Sequence, residues 1–314
     1  PAAITTTSTG NDMNTFPEVD KGTSSMPRII ARALLLGLLS VLLVGCSALR
    51  LAYNQAPSLS YWWIDGYADL NEAQTGQMRR DIDAFFAWHR STELPGYIQR
   101  LQQWQQMAQA DSSADLACNQ FDALRGAYLR LIDRSLEPMA RLALTLTPAQ
   151  LQHLQKKYDK NNREFEQRYI RVSEEERIDN LMERALDRYE PLYGELSSAQ
   201  MALLRERVRG SPFDAQRVHA ERLRRQGDLI RTVRELQAER GATVATATTA
   251  LRRWHERVMR SPLPGFATYS DSLVRNACEQ FAAVHNTTSA EQRQHAVRVL
   301  KDYETDLRSL TPQH

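Results

Sequence analysis

The sequence predicts an all-α fold, an elongated multi-helix bundle of about nine to eleven helices in two divergent related halves. Three observations carry this. Apolar residues recur with a period near 3.6 along almost the whole chain after residue 70, with no comparable period-2 pattern. The breaks between these stretches carry helix-start chemistry, a hydroxyl or amide residue followed three positions later by Gln or Glu. Glycine and proline number only 13 and 12 in 314 residues, many beside helix starts and stops, while Gln, Arg, Leu and Ala are abundant and β-branched runs are rare. With 42% apolar residues the chain can bury a substantial core, and 40 Lys and Arg against 38 Asp and Glu leave a formal charge of +2. A balance so close to neutral gives no global field for nucleic acid, which is not expected as a partner.

The elements follow in chain order. Residues 1–25 are a Thr/Ser-rich polar stretch without periodicity, read as disorder or as upstream sequence, and Met26 is read as the true start. From Met26 the chain reads MPRIIARALLLGLLSVLLVGC, with Arg28 and Arg32 ahead of a thirteen-residue stretch, Ala33 to Gly45, that is apolar except for Ser40. A bilayer span needs about 20 apolar residues, so residues 26–45 read as a signal peptide. Their end, Leu43-Val44-Gly45-Cys46, resembles the bacterial lipobox. That resemblance implies cleavage before Cys46 and a covalent lipid on its thiol and amine, with no other cofactor. Two or more acyl chains anchor a protein stably. Ser47, where the enteric sorting rule has Asp for inner-membrane retention, implies the outer membrane, periplasmic face.

Residues 46–69 form an aromatic-rich segment with Tyr53, Tyr61, Trp62, Trp63 and Tyr67 within fifteen residues. Such amphipathic rings suit a membrane interface. They equally suit docking onto a helical core, and this reading is favoured because Leu59, Trp63, Gly66, Tyr67 and Leu70 share one face of a helix that Pro57 would begin. Beyond it, Met78, Ile82, Phe85, Phe86 and His89 make one stripe. Leu151, Leu154, Tyr158, Phe165, Tyr169 and Val172 make a second, and Ile178, Leu181, Ala185 and Tyr189 a third. Ser173-Glu174-Glu175-Glu176 reads as a capping box, and Gly210-Ser211-Pro212-Phe213-Asp214 as a stop followed by a start with Pro at the first helical position.

The order Leu-x-x-x-Gln, Trp-His, Leu-Pro-Gly-aromatic, Ala-Cys-x-Gln-Phe occurs twice, from Leu70 and again from Leu196. Divergent duplication accounts for this most simply, with halves at 70–195 and 196–314; convergent helix punctuation imitates part of it. Cys118 and Cys278 fall at equivalent places in the two copies. They are either two buried thiols or, as expected in an oxidising compartment, a disulfide closing a loop of about 160 residues and stabilising by about 4 to 5 kcal/mol on the chain-entropy model. No C-x-x-C or His pair accompanies them, so no metal site is expected.

No catalytic residues are expected. His89 and His255 each follow a Trp near a helix end, where the ring suits the last carbonyls and the dipole. No nucleophile elbow, phosphate loop or His/carboxylate set appears, and Asp81 and Asp83, two apart on a helix, point to different sides. Residues 205–240 hold ten Arg and six acidic side chains. This stretch is a solvated face with pairs such as Glu221/Arg225 and Arg231/Glu235, or an anion or partner surface made by Arg217, Arg222, Arg224, Arg225 and Arg231.

The Leu-Thr/Ser-x-x-Gln units have legible physics. In Leu146-Thr147-Pro148-Ala149-Gln150-Leu151, Thr147 is the N-cap, Pro148 the first helical residue, Gln150 reaches back to the Thr147 backbone, and Leu146 and Leu151 staple the turn. Leu196-Ser197-Ser198-Ala199-Gln200-Met201 repeats the device, and residues 70–74 and 288–292 keep the cap and glutamine. The unit is also the hallmark of the LTxxQ periplasmic proteins, helical envelope-stress chaperones similar to Spy and CpxP, and implies the binding of unfolded clients. With the lipobox, RLAYNQAP, YWWID, WHR…ELPGY and LTPAQ in order, the whole chain resembles an uncharacterised family of proteobacterial lipoproteins known as a domain of unknown function, which implies no activity. Together these features predict a non-enzymatic envelope factor, tethered to the membrane by its lipid, that binds a protein partner or unfolded client. The alternative is a scaffolding component of an envelope complex or a peptidoglycan-associated protein.

Overall fold

The computed structural model describes residues 48–312; Cys46 and the segments before it lie outside the described residues. Eleven α-helical segments account for most of the described residues, which contain no strand. They are α1 Ala48–Ala68, α2 Glu72–Trp88, α3 Leu94–Met107, α4 Ala114–Thr145, α5 Pro148–Tyr169, α6 Glu174–Tyr193, α7 Ser198–Arg209, α8 Ala215–Ala238, α9 Val244–Met259, α10 Phe266–His285 and α11 Ala290–Leu310. None of them is long and apolar enough to cross a membrane.

Helices α2 and α3 run on through one π-helical turn, His89–Glu93, in which the Leu94 amide reaches back five residues to the His89 carbonyl. Pro95, the second residue of α3, has no N–H to offer the preceding turn, and the wider turn accommodates that loss. The other starts are chemically similar: Asn71, Ser113, Thr147, Ser173, Ser197, Asp214, Thr243 and Ser289 each cap the amide three residues on. Helix α10 is the exception. It begins after Gly265 in the left-handed region (φ 71°), where an added Cβ would lie 3.2 Å from the Arg217 guanidinium.

Two larger apolar cores result, beside a smaller cluster of Tyr61, Met78 and Ile82 that docks α1 on α2. One joins Leu101 of α3 to Met182, Tyr189 and Tyr193 of α6, Leu204 of α7 and Leu300 of α11. The other joins Leu136 and Ala140 of α4 and Leu151 of α5 to Val233 of α8 and Leu251 of α9. Both mix residues from before and after Leu196, so the repeat read there is not a cut between separate cores.

Four local expectations need correction. Pro57 lies inside α1 instead of beginning it. The turn ahead of it is held from outside the helix, by Tyr53 on His89 and Arg50 on Asp306. The docked face of α1 carries Tyr61 and Ala68, while Leu59 and Trp63 are exposed. Pro212 precedes the N-cap Asp214 and is not the first helical residue of α8, and Ser173 caps Glu176 without the reciprocal side-chain bond.

Candidate functional site

The four Leu/Thr-x-x-x-Gln units assemble in pairs. Gln74 at the start of α2 and Gln150 at the start of α5 face each other as reciprocal amides: Gln150 Nε2 donates to Gln74 Oε1 at 2.7 Å and Gln74 Nε2 to Gln150 Oε1 at 3.3 Å. Each also donates to the carbonyl two residues before the other's N-cap, Gln74 to Thr145 (2.9 Å) and Gln150 to Asp69 (2.7 Å). Each Oε1 meanwhile accepts from its own cap amide, Asn71 or Thr147. Gln200 and Gln292 repeat every one of these bonds at the starts of α7 and α11, with Thr287 and Glu195 supplying the carbonyls. The cap reading of Leu146, Thr147, Gln150, Leu196, Ser197 and Gln200 thus has a tertiary half that no local rule contains.

The register below each glutamine repeats as well. One and two turns on from Gln74 and Gln200 stand Met78 and Ile82, and Leu204 and Val208, all buried. The same steps from Gln150 and Gln292 reach Leu154 and Tyr158, and Ala296 and Leu300, and each of these pairs lines a cavity. The first cavity, about 610 Å³, lies among α1, α2, α4, α5, α8 and α9. Its walls are mainly apolar, including Ile64, Phe86, Met139 and Trp254. Four of its polar members are engaged elsewhere: Asp81 by Arg141 (2.7 Å), Ser135 on the Leu131 carbonyl, Tyr67 by Asn161 (2.6 Å) and Gln150 by Gln74. Burial pushes the Tyr158 phenol up to about 12, so it stays neutral. The second cavity, about 340 Å³, lies beside Cys278 and is walled by Trp104, Phe121, Leu124 and Phe281. Its mouth is marked by Phe121 and Leu124, both exposed on α4.

The ionisable clusters are internal braces. His285 accepts from the Tyr193 hydroxyl at Nδ1 (2.8 Å) and donates from Nε2 to the Ala110 carbonyl (2.7 Å), and burial lowers its pKa. The two Trp-His histidines are likewise pinned by tyrosines, His89 by Tyr53 (2.7 Å) and His255 by Tyr128 (3.1 Å), and burial lowers both. Glu93 accepts from Nε and Nη2 of Arg130 (2.9 and 2.8 Å), and these hydrogen bonds depress its pKa. None of these presents a free base beside a nucleophile. No group of three or more potential metal ligands occurs among the described residues.

Cys118 of α4 and Cys278 of α10 are joined in a disulfide, with their α-carbons 5.4 Å apart. The five arginines singled out in the basic stretch contact the chain itself. Arg224 and Arg225 bind the buried Glu221, and Arg224 and Arg231 bind the buried Asp228. Arg217 donates to the Gly265 carbonyl and lies over Tyr269, and Arg222 lies over Phe165. Three of the five are thus matched by buried carboxylates of their own helix. The cavities were missed at the sequence level. Their only signal was that α4 carries apolar residues on more than one face.

The chain belongs to the family described as "Family of unknown function (DUF6279)", whose model matches residues 66–245. The match takes in the Gln74/Gln150 pair and ends before His255, Cys278 and Gln292. No curated protein and no solved structure matches the chain.

Proposed function

We propose that this member of the family is a non-enzymatic, chaperone-like binding factor of the cell envelope, lipidated at Cys46 and held at the periplasmic face of the outer membrane. The observation that carries the binding role is the cavity of about 610 Å³, whose one charged lining residue, Asp81, is already paired with Arg141, leaving mainly apolar surface as what it offers a ligand. Such a site favours an apolar segment over a charged one, because a charge entering it finds no free opposite charge. The envelope setting is supported by the basic, apolar and Gly45-Cys46 sequence of residues 26–46. The Cys118–Cys278 disulfide agrees with an oxidising compartment. The LTxxQ resemblance points the same way, although the glutamines themselves are committed to pairing.

The test is suppression of aggregation of a chemically unfolded client. The purified full chain is expected to delay aggregation at near-stoichiometric ratio. Ser60→Trp, which puts an indole into the first cavity from its half-buried wall, is expected to lose most of the effect. Absence of protection at tenfold excess would refute the proposal.

A further inference from the structure

We infer that the outward face of α1 lies in the lipid headgroup region of a bilayer, making the first helix a second membrane contact beside the anchor. Leu51, Leu59, Trp62 and Trp63 are 63, 60, 65 and 67% exposed. At 100° per residue they fall within about 120° of the helix surface and extend over about 18 Å of its length. Exposed apolar residues scattered singly are ordinary, but four large ones in one stripe mark a contact surface.

The face carries no charge. The only ionisable residues of α1 other than tyrosines are Arg50, paired with Asp306 at 3.1 Å, and Asp65, which accepts from the Leu70 amide. Nor can the helix roll to bury it. The opposite side is pinned by Tyr53 on His89 (2.7 Å), Tyr61 on Thr75 (3.2 Å) and Asn161 on Tyr67 (2.6 Å).

The sequence just upstream argues for a membrane as the occupant. Helix α1 begins two residues after Cys46, at the end of the apolar stretch 33–45, so Leu51 is at most about 18 Å of extended chain from the cysteine. A surface tethered this closely to a membrane meets it at a high effective concentration, which a second copy does not share. Indole rings favour the interfacial layer, and apolar helix faces bury themselves there.

This assignment rests on the proposed anchor only for proximity, and the two can be tested apart. Wild type, Trp62→Phe/Trp63→Phe and Cys46→Ala chains, each full length, are floated with phosphatidylethanolamine/phosphatidylglycerol vesicles whose acyl chains are brominated, and tryptophan emission is read. Bound wild type is expected to lose about two fifths of its emission, because two of its five tryptophans reach the quencher, and the double Phe variant to lose almost none. Flotation without quenching that depends on Trp62 and Trp63 overturns the interface and leaves the anchor standing. Quenching that survives in a Cys46→Ala chain floating as well as wild type overturns the anchor and supports the face. Neither flotation nor quenching overturns both. A crosslinked dimer abolished by Leu59→Glu, without quenching, reassigns the face to a second copy and also overturns the proposal.

Discussion

Replacing Gln150 by Leu should cost far more than a helix cap, and the excess should vanish when Gln74 is replaced as well. Gln150 is only 6% exposed and makes four bonds: to the Asp69 carbonyl, from the Thr147 amide, and two with Gln74. A cap alone contributes about 1 kcal/mol. Here the substitution also removes the donor to the Asp69 carbonyl, the acceptor of the Thr147 amide and one of the partners of each polar atom of the Gln74 amide, at about 1 to 3 kcal/mol for each group left unpaired that water does not reach. The expected loss is about 2 to 4 kcal/mol, and the same holds for Gln74→Leu by the repetition of the bonds. In Gln74→Leu/Gln150→Leu the mutual pair is lost once instead of twice and no half-satisfied amide remains, so the double variant should fall short of the sum by about 1 to 2 kcal/mol. Gln150 and Gln292 share no hydrogen-bond partner and should be additive within about 0.5 kcal/mol. Urea unfolding followed by far-UV circular dichroism, with the disulfide intact, measures all of these. Coupling in the Gln74/Gln150 cycle no larger than in the Gln150/Gln292 cycle would refute the pairing as an energetic unit.

Two further outcomes are expected. Cys118→Ser should lower stability by about 4 to 5 kcal/mol on the chain-entropy model, given a sequence separation of 160 residues, and should remove a mobility shift on non-reducing gels; equal mobility of variant and wild type would contradict the bridge. Glu304, 1% exposed, takes hydrogen bonds from Gln105, Lys301, Arg308 and Gln102, and these hold its pKa near about 2, below the ordinary 4.5. A carboxyl depressed in the folded state contributes stability that is present above the ordinary value and lost as pH falls toward 2. Stability should therefore decline on acidification from about pH 5 to about pH 2, and Glu304→Gln should flatten that slope; an unchanged slope would show that the carboxylate is not a source of the loss.

The helix starts were legible because their chemistry is local. Thr147 and Gln150, or Ser197 and Gln200, announce a capping box within four residues. What escaped was lateral. The contact between Gln74 and Gln150 joins residues 76 apart, and nothing within either pentapeptide says which other start it will meet. The same limit applied to α1, where apolar residues occur on more than one face and periodicity does not tell which docks: Tyr61 went inward, and Leu59 and Trp63 outward. It applied again to the basic stretch. The i,i+4 pair Glu221/Arg225 forms at 2.6 Å, but Arg231 prefers the buried Asp228 at 2.5 Å to the exposed Glu235 at 3.9 Å. The burial of Glu221 and Asp228 depends on α9, which supplies Arg257 to Asp228.

The paired amides also say why these helices open with glutamine. In an isolated capping box a carboxylate serves as well, and it suits the positive end of the helix dipole. Where two helix starts abut, two glutamates would set like charges against each other and neither could donate to the opposite carbonyl. An amide both gives and accepts, so each glutamine closes its own turn and its neighbour's. A junction built this way has no proton to gain or lose, and its grip should be the same in acid surroundings as in neutral ones.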